Sequence, residues 1–140
     1  MHYDSLKALL QKDGKSLTKP RKVIFDVLLN QEPIDMKAVI KRTAGKLDRA
    51  TVYRNIELFE KLGIVHRVNI GWKYKIELSD VFHGHHHHFY CTNCGNMFTL
   101  EASAMLETMI DTVAAKSSFS PRGHQLEIYG FCKKCSKTKA

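Results

Sequence analysis

Hydrophobic residues in the first half of the chain recur at helical spacing between turn residues, which predicts four short helices. The first helix is predicted over residues 4–11. The second begins around Pro20, because a proline is tolerated in the first turn of a helix. Its apolar face is predicted to contain Val23, Val27 and Leu28. Asp35 and Asp48 are placed to cap the third and fourth helices.

The fourth helix, predicted over residues 49–62, combines a buried stripe with a distinct outer face. The stripe consists of Val52, Ile56, Phe59 and Leu62. Tyr53 and Arg54 lie about 100° and 200° round the helix from Val52, so they point away from the core. Such a helix can enter the major groove of DNA, with Tyr53 against thymine methyl groups and Arg54 at a phosphate or a base edge. The alternative is an ordinary surface helix with a half-packed tyrosine.

A period of two replaces the helical period after the fourth helix and predicts a β-hairpin. The alternating apolar positions are Val68, Ile70, Tyr74, Ile76 and Leu78, with a turn at Gly71. Lys73 and Lys75 on the outer face could touch a DNA backbone, although a plain polar strand face is an equal alternative. Helices followed by a hairpin are the element order of a winged-helix domain.

The sequence pattern of the second half of the chain predicts a small α/β domain. Short strands are predicted at residues 88–90, 97–100 and 126–130. An intervening helix has an apolar stripe of Leu106, Met109, Ile110 and Val113. Met105 and Met109 are assigned to the core rather than to a metal. Because these elements bury little surface alone, a homodimer is predicted. Together, the two halves predict an α+β fold class for the whole chain.

Composition and charge favour two small domains, 1–82 and 83–140, joined by a hinge at about 79–84. The chain has 140 residues, 44% of them hydrophobic, and a net charge of +8. Residues 1–82 carry 16 Lys/Arg against 10 Asp/Glu, a net +6, and the rest carry 6 against 4, a net +2. The basic first half favours phosphate contacts, although a solvated basic surface is possible on charge alone. No apolar stretch suits a signal peptide or a membrane span, so a cytoplasmic location without a membrane partner is expected.

All four cysteines occur in two Cys-x-x-Cys pairs, Cys91 with Cys94 and Cys132 with Cys135. Each pair presents two thiolates on a tight turn, so the two pairs together predict a closed tetrahedral zinc site of structural type. The alternatives are two disulfides or four free thiols.

A run of four histidines, His85–His88, precedes the first cysteine pair. On a strand, His86 and His88 project to one side and His85 and His87 to the other, so one run can serve two metal sites. A flexible solvated loop is the alternative for this segment.

Three segments, 48–54, 85–95 and 127–132, resemble the ferric uptake regulator family in sequence and in order. The resemblance implies a dimeric, metal-sensing transcription factor. Its N-terminal winged helix would bind double-stranded operator DNA, and its C-terminal part would dimerise. The metal-loaded dimer would repress uptake genes.

The resemblance also implies two further metal sites. A regulatory site between the two domains would use His66, Glu77, His86 and His88, and a second site would use His85, His87, Glu107 and His124. The chain departs from the family at three places. Residues 32–34 lack the histidine of iron sensors, His87 replaces an aspartate of many iron and peroxide sensors, and Glu77 replaces a cysteine that is frequent in zinc sensors. Implied DNA contacts are Tyr53, Arg54, Thr51, Arg21 and Lys15.

Histidine at position 87 resembles the zinc-sensing branch of the family, so the resemblance favours a zinc uptake regulator with zinc at the regulatory site. Nitrogen ligands also favour zinc, although the two glutamates weaken that preference. An iron(II)- or manganese(II)-responsive member, or a peroxide sensor, is the alternative within the family. Two alternatives of other classes are a zinc-dependent hydrolase and a zinc-ribbon interaction module. The hydrolase is disfavoured because the chain has no His-Glu-x-x-His motif and no evident nucleophile with its base.

Overall fold

The chain forms two compact units, Met1–Gly84 and the residues from His85 onward. The structure, a computed structural model, describes residues 1–139. The boundary falls at the end of the segment predicted as a hinge. That segment is not plain linker, because residues 80–83 form a short helix whose Phe82 ring lies 5.0 Å from the ring of Phe25. Among the described residues, no helix is long and apolar enough to cross a membrane.

The first unit has the predicted order of four helices and a hairpin. Its elements are α1 (His2–Gln11), α2 (Lys19–Leu28), α3 (Met36–Thr43), α4 (Arg49–Lys61), β1 (Val65–Ile70), β2 (Lys73–Leu78) and α5 (Asp80–His83). The two strands pair antiparallel, from Val65 opposite Leu78 to Ile70 opposite Lys73. The unit thus has a winged-helix architecture, in which β1 and β2 form the wing.

The core of the first unit lies between its helices and the wing. Val52, Ile56 and Phe59 of α4 are buried as predicted, whereas Leu62 is only half-buried. The prediction for α2 was partly wrong, since Ile24, Phe25 and Leu28 are buried while Val23 and Val27 stay half-exposed. Two apolar stripes coexist on that short helix, and packing against α3 and α4 selects the one that contains the larger Phe25 ring.

Asp35 caps α3 as the sequence predicts, because its carboxylate accepts a 2.8 Å hydrogen bond from the Ala38 amide. Replacing Asp35 by alanine is expected to lower the free energy of unfolding by about 1 kcal/mol, the usual cost of losing such a cap. Urea denaturation followed by circular dichroism measures the change. Asp35→Asn retains the acceptor and is expected to lose much less. Equal losses in both variants would contradict the capping explanation.

The second unit is a three-stranded sheet with two helices. Its elements are β3 (His86–Cys91), β4 (Met97–Glu101), α6 (Ala104–Lys116), β5 (Glu127–Gly130) and α7 (Lys133–Lys139). The strand order is β4-β3-β5, with β4 antiparallel and β5 parallel to the central β3. The α+β fold class predicted from the sequence is confirmed.

The assignment of the α6 methionines to a core was wrong for the single chain. Met105 is 79% exposed, and Met109 and Val113 are also exposed. None of the residues of α6 is buried. Within the apolar stripe, Met109 and Val113 therefore face outward while Leu106 and Ile110 are half-buried, and exposed apolar residues of this kind are expected on a surface that a second subunit covers.

Candidate metal centres and DNA-binding surface

The four cysteines converge at one end of the second unit. Cys91 ends β3, Cys94 lies in the turn that follows, and Cys132 and Cys135 come after β5. Because β5 runs parallel to β3 with Gly130 opposite Cys91, the chain after β5 emerges beside the first cysteine turn. All four sulfurs lie within 4.8 Å of one another, and none is in a disulfide.

The geometry and chemistry of these sulfurs fit zinc. Cys94 Sγ and Cys132 Sγ are 3.9 Å apart, close to the separation of about 3.8 Å that tetrahedral Zn–S bonds of about 2.3 Å impose. Amide hydrogen bonds from Cys132 and Cys94 lower the pKa of the Cys91 thiol to about 6. An amide hydrogen bond from Asn96 lowers the pKa of Cys94, but contacts with Cys91 and the other cysteines raise it to about 11. Ionisation of the Cys91 thiol is thus favoured, whereas ionisation of Cys94 beside it is disfavoured. A divalent cation between the sulfurs would stabilise both thiolates.

A second cluster gathers three imidazoles around one carboxylate within the second unit. His87 Nε2 is 2.8 Å from Glu107 Oε1, and His124 Nε2 is 2.7 Å from Glu107 Oε2. His85 Nε2 lies 3.4 Å from the same carboxylate and 3.1 Å from His124 Nε2. The four donors, one from each residue, lie within 4.8 Å of one another.

The electrostatics of this cluster also favour a cation. Hydrogen bonding to His87 and the neighbouring imidazoles of His124 and His85 hold the pKa of Glu107 below its usual value. Three imidazole nitrogens that converge on one carboxylate compete for it, whereas a metal ion can accept all of their lone pairs at once. The residues predicted for the second site therefore come together with a donor set that suits zinc.

The four residues predicted for the regulatory site fall into two pairs, one in each unit. In the wing, His66 and Glu77 are directly opposite in the register, and His66 Nε2 lies 2.8 Å from Glu77 Oε1. In β3, the rings of His86 and His88 are 4.9 Å apart on one side of the strand. Each pair presents ligand atoms suited to a metal, although a cross-strand His–Glu pair is also an ordinary sheet contact.

Two glutamates beside the histidine strand were not predicted from the sequence. Glu101 of β4 is directly opposite His86, and Glu127 of β5 is opposite His88, with its Oε1 4.0 Å from His88 Nδ1. Each glutamate lies beside its histidine only because of the way the neighbouring strand is aligned with β3. The alternation in β3 identifies its two sides, but no signal in the sequence gives the neighbours on the adjacent strands.

The N-terminal half of α4 carries the residues predicted to contact DNA. Tyr53 and Arg54 are exposed, and Thr51 lies half-exposed in the first turn. The Asp48 carboxylate caps this turn through the Thr51 amide at 2.7 Å. Arg49 was not predicted, yet its guanidinium lies 5.6 Å from the centre of the Tyr53 ring, so it extends the basic face of the helix.

The other two predicted DNA contacts differ in their surroundings. Arg21 Nε donates to Asn55 Oδ1 at 3.2 Å, and one terminal nitrogen donates to the Ser16 carbonyl at 2.6 Å. Arg21 therefore braces α4 through Asn55 and has only its remaining N–H groups for a phosphate. Lys15 is exposed in the loop after α1.

The chain is similar to known proteins over nearly its full length. A model of the ferric uptake regulator family matches residues 12–129. The chain is 30% identical to the ferric uptake regulation protein of Campylobacter jejuni, and the match covers 100% of this chain and 94% of that protein. It is 29% identical to the peroxide operon regulator of Bacillus subtilis, with 91% and 89% covered.

Solved structures give the same result. The ferric uptake regulator of Vibrio cholerae superposes with a TM-score of 0.74 at 29% identity, over 90% of this chain and 98% of that one. Members of the family are metal-responsive transcription regulators rather than enzymes, and they bind DNA as dimers. The chain belongs to the ferric uptake regulator family.

Proposed function

We propose that this protein is a zinc-responsive repressor of zinc uptake genes, which acts in the cytoplasm and binds operator DNA as a metal-loaded homodimer. The observation that carries the choice of metal is the donor set of the His85, His87, Glu107 and His124 cluster, three imidazoles and one carboxylate, which the proposed regulatory set of His66, Glu77, His86 and His88 repeats. Three nitrogen donors and one carboxylate supply the four ligands that zinc accepts in a tetrahedron. Iron(II) and manganese(II) favour sites with more oxygen donors.

An iron(II)- or manganese(II)-responsive regulator is the second candidate. Relatives such as the Campylobacter jejuni protein bear the name of ferric uptake regulation proteins. Glu77, and Glu101 beside His86, add carboxylates to the donors available for regulation. The two candidates share the same fold and DNA-binding surface and differ only in the ion that the regulatory residues select.

The proposed mechanism couples metal binding to DNA affinity through the regulatory residues. His66 and Glu77 of the first unit and His86 and His88 of the second would bind the same ion, and doing so would restrict the angle between the units. In a dimer this angle sets the spacing of the two α4 helices. Metal binding shifts the protein toward the DNA-binding arrangement only to the extent that the ion binds this arrangement more tightly than the other arrangements. The four cysteines would hold a separate structural zinc.

The proposed homodimer is supported by exposed apolar residues in the second unit. Phe89, Phe98 and Ile128 are directly opposite one another across β3, β4 and β5, and each is at least 40% exposed. Tyr129, on the other side of β5, and Phe131 after that strand are exposed as well. An apolar row of this size on a three-stranded sheet is typical of a subunit interface.

Operator binding measured by fluorescence anisotropy tests the proposal. Protein that retains only its four-cysteine zinc is titrated with zinc, iron(II) or manganese(II) at buffered free concentrations and fixed salt. Zinc is expected to tighten DNA binding by about 5- to 150-fold, the usual range of coupling between two sites. His86→Ala is expected to abolish this gain.

His83→Ala is the matched control, because it removes an exposed histidine of α5 outside the proposed sites. It is expected to respond to zinc like the original protein. If iron(II) or manganese(II) tightens binding as well as zinc at plausible free concentrations, the second candidate replaces the first. If no metal changes DNA affinity, the coupling through the regulatory residues is wrong.

A further inference from the structure

Trp72 stands at the tip of the wing and is 89% exposed. Ile70 pairs with Lys73, so Gly71 and Trp72 alone form the turn between β1 and β2. Gly71 has a φ of 59°, the left-handed conformation that opens a tight two-residue hairpin turn. The turn therefore accounts for the glycine. It does not account for the indole, because small polar residues usually occupy the remaining position.

The surroundings of Trp72 are basic. The Lys73 ammonium lies 5.2 Å from the centre of the indole ring, and Lys75 follows on the same strand. Glu77 is the only acidic residue of the two strands, and it pairs with His66 toward the opposite end of the wing. The tip thus combines a large aromatic surface with positive charge.

These two properties match a nucleic-acid backbone better than a protein surface. Tryptophan residues that anchor protein interfaces are usually surrounded by apolar residues that exclude water. At the tip of the wing the neighbour is instead a lysine. A DNA backbone offers both complements, since deoxyribose has apolar faces for a ring and each phosphate attracts an ammonium group.

We propose that Trp72 is a DNA-contact residue of the wing. Its indole packs against the sugar-phosphate backbone of the operator, and Lys73 binds a neighbouring phosphate. The inference rests on the proposed DNA-binding function and adds a contact separate from α4. It gives affinity that depends little on sequence, because sugars and phosphates are the same at every base pair.

Trp72 is the only tryptophan of the chain, so intrinsic fluorescence reports on this position alone. Metal-loaded full-length protein is titrated with the operator duplex while indole emission and its quenching by acrylamide are recorded. The emission is expected to change, and the quenching to fall, at the same DNA concentrations at which anisotropy shows binding.

Three variants measure the contribution of the ring. Trp72→Ala is expected to weaken operator binding roughly 30-fold, the lower end of the range expected when each half of a dimer loses an aromatic contact to nucleic acid. Trp72→Phe is expected to retain most of the affinity because it keeps a ring. Phe119→Ala removes another exposed aromatic ring, 66% exposed and outside the wing, and is expected to have no effect.

The outcomes separate this inference from the proposed function. If metal-dependent DNA binding occurs while indole emission stays constant and Trp72→Ala binds normally, the wing contact is refuted and the proposed function stands. If Trp72→Ala instead dissociates the dimer in sedimentation, the indole belongs to a protein interface and the inference is wrong. If the original protein binds no operator DNA with any metal, both fail together.

Discussion

Replacing Cys132 by serine is expected to remove the structural zinc and unfold the second unit. A serine hydroxyl does not ionise at neutral pH, so the site loses one of its four thiolates. The backbone amide of residue 132, which donates to Cys91 Sγ at 3.4 Å, is kept in this variant, so the change removes the fourth ligand itself. Structural zinc sites contribute about 10–16 kcal/mol of folding free energy in small domains.

The second unit is expected to depend on the proposed zinc because it has almost no apolar core of its own. Among its described residues, the buried hydrophobic side chains are Cys91, Met97 and Cys135. Two of the three are cysteines of the site, so the proposed zinc stands where a larger domain would have packed aliphatic residues. The first unit, whose core includes Phe25 and Phe59, is expected to stay folded.

Native mass spectrometry for bound zinc and hydrogen exchange resolved by segment measure this outcome. Amides of β3 and β5 are expected to exchange freely in Cys132→Ser, while those of α2 and α4 remain protected. Ser136→Ala is the control, because the Ser136 hydroxyl is exposed and donates only to the Lys133 carbonyl. If Cys132→Ser retained one zinc per chain and protected strands, the four-cysteine assignment would be refuted.

The elements with strong periodicity were predictable from the sequence, and the elements without it were not. The stripe of α4 and the buried apolar positions Val68, Ile76 and Leu78 of the wing follow from patterns that the sequence displays directly. The alternation of β2 is incomplete in the structure, because Glu77 between Ile76 and Leu78 is buried as well. In contrast, α7 has the sequence Lys-Lys-Cys-Ser-Lys-Thr-Lys, which has no apolar stripe. Its helix follows the second cysteine turn rather than a hydrophobic face.

The candidate sites show the same division. The spacing of the cysteines and the alternation of the histidines identify ligands because both are local properties of the chain. Glu101 was missed because its place beside His86 depends on the register between β4 and β3. Met109 was misassigned because a stripe that faces a second subunit has the same periodicity as one that faces a core.

Replacing Arg54 by alanine is expected to weaken specific operator binding by roughly 2–6 kcal/mol, since such a base or phosphate contact is worth about 1–3 kcal/mol and a homodimer makes two of them. Arg54 is exposed on the face of α4 opposite the buried stripe, so its loss leaves the core intact. Anisotropy with operator and unrelated duplexes at several salt concentrations measures the effect. The thermal unfolding midpoint is expected to stay unchanged.

Two further variants determine what Arg54 reads. Arg54→Lys keeps the charge but loses the planar pair of donors that binds a guanine edge. If Arg54 contacts a base, the lysine variant should bind unrelated DNA normally and lose its preference for the operator; if it contacts a phosphate, the lysine should restore both affinities. Lys61→Ala removes the same charge at the far end of α4, where the ammonium lies 3.7 Å from Asp13. This end of the helix lies away from the N-terminal half of α4 that is predicted to enter the groove and leads into the start of β1, far from the wing tip. An equal loss of affinity in Lys61→Ala would therefore indicate a general effect of charge and would refute α4 as the recognition helix.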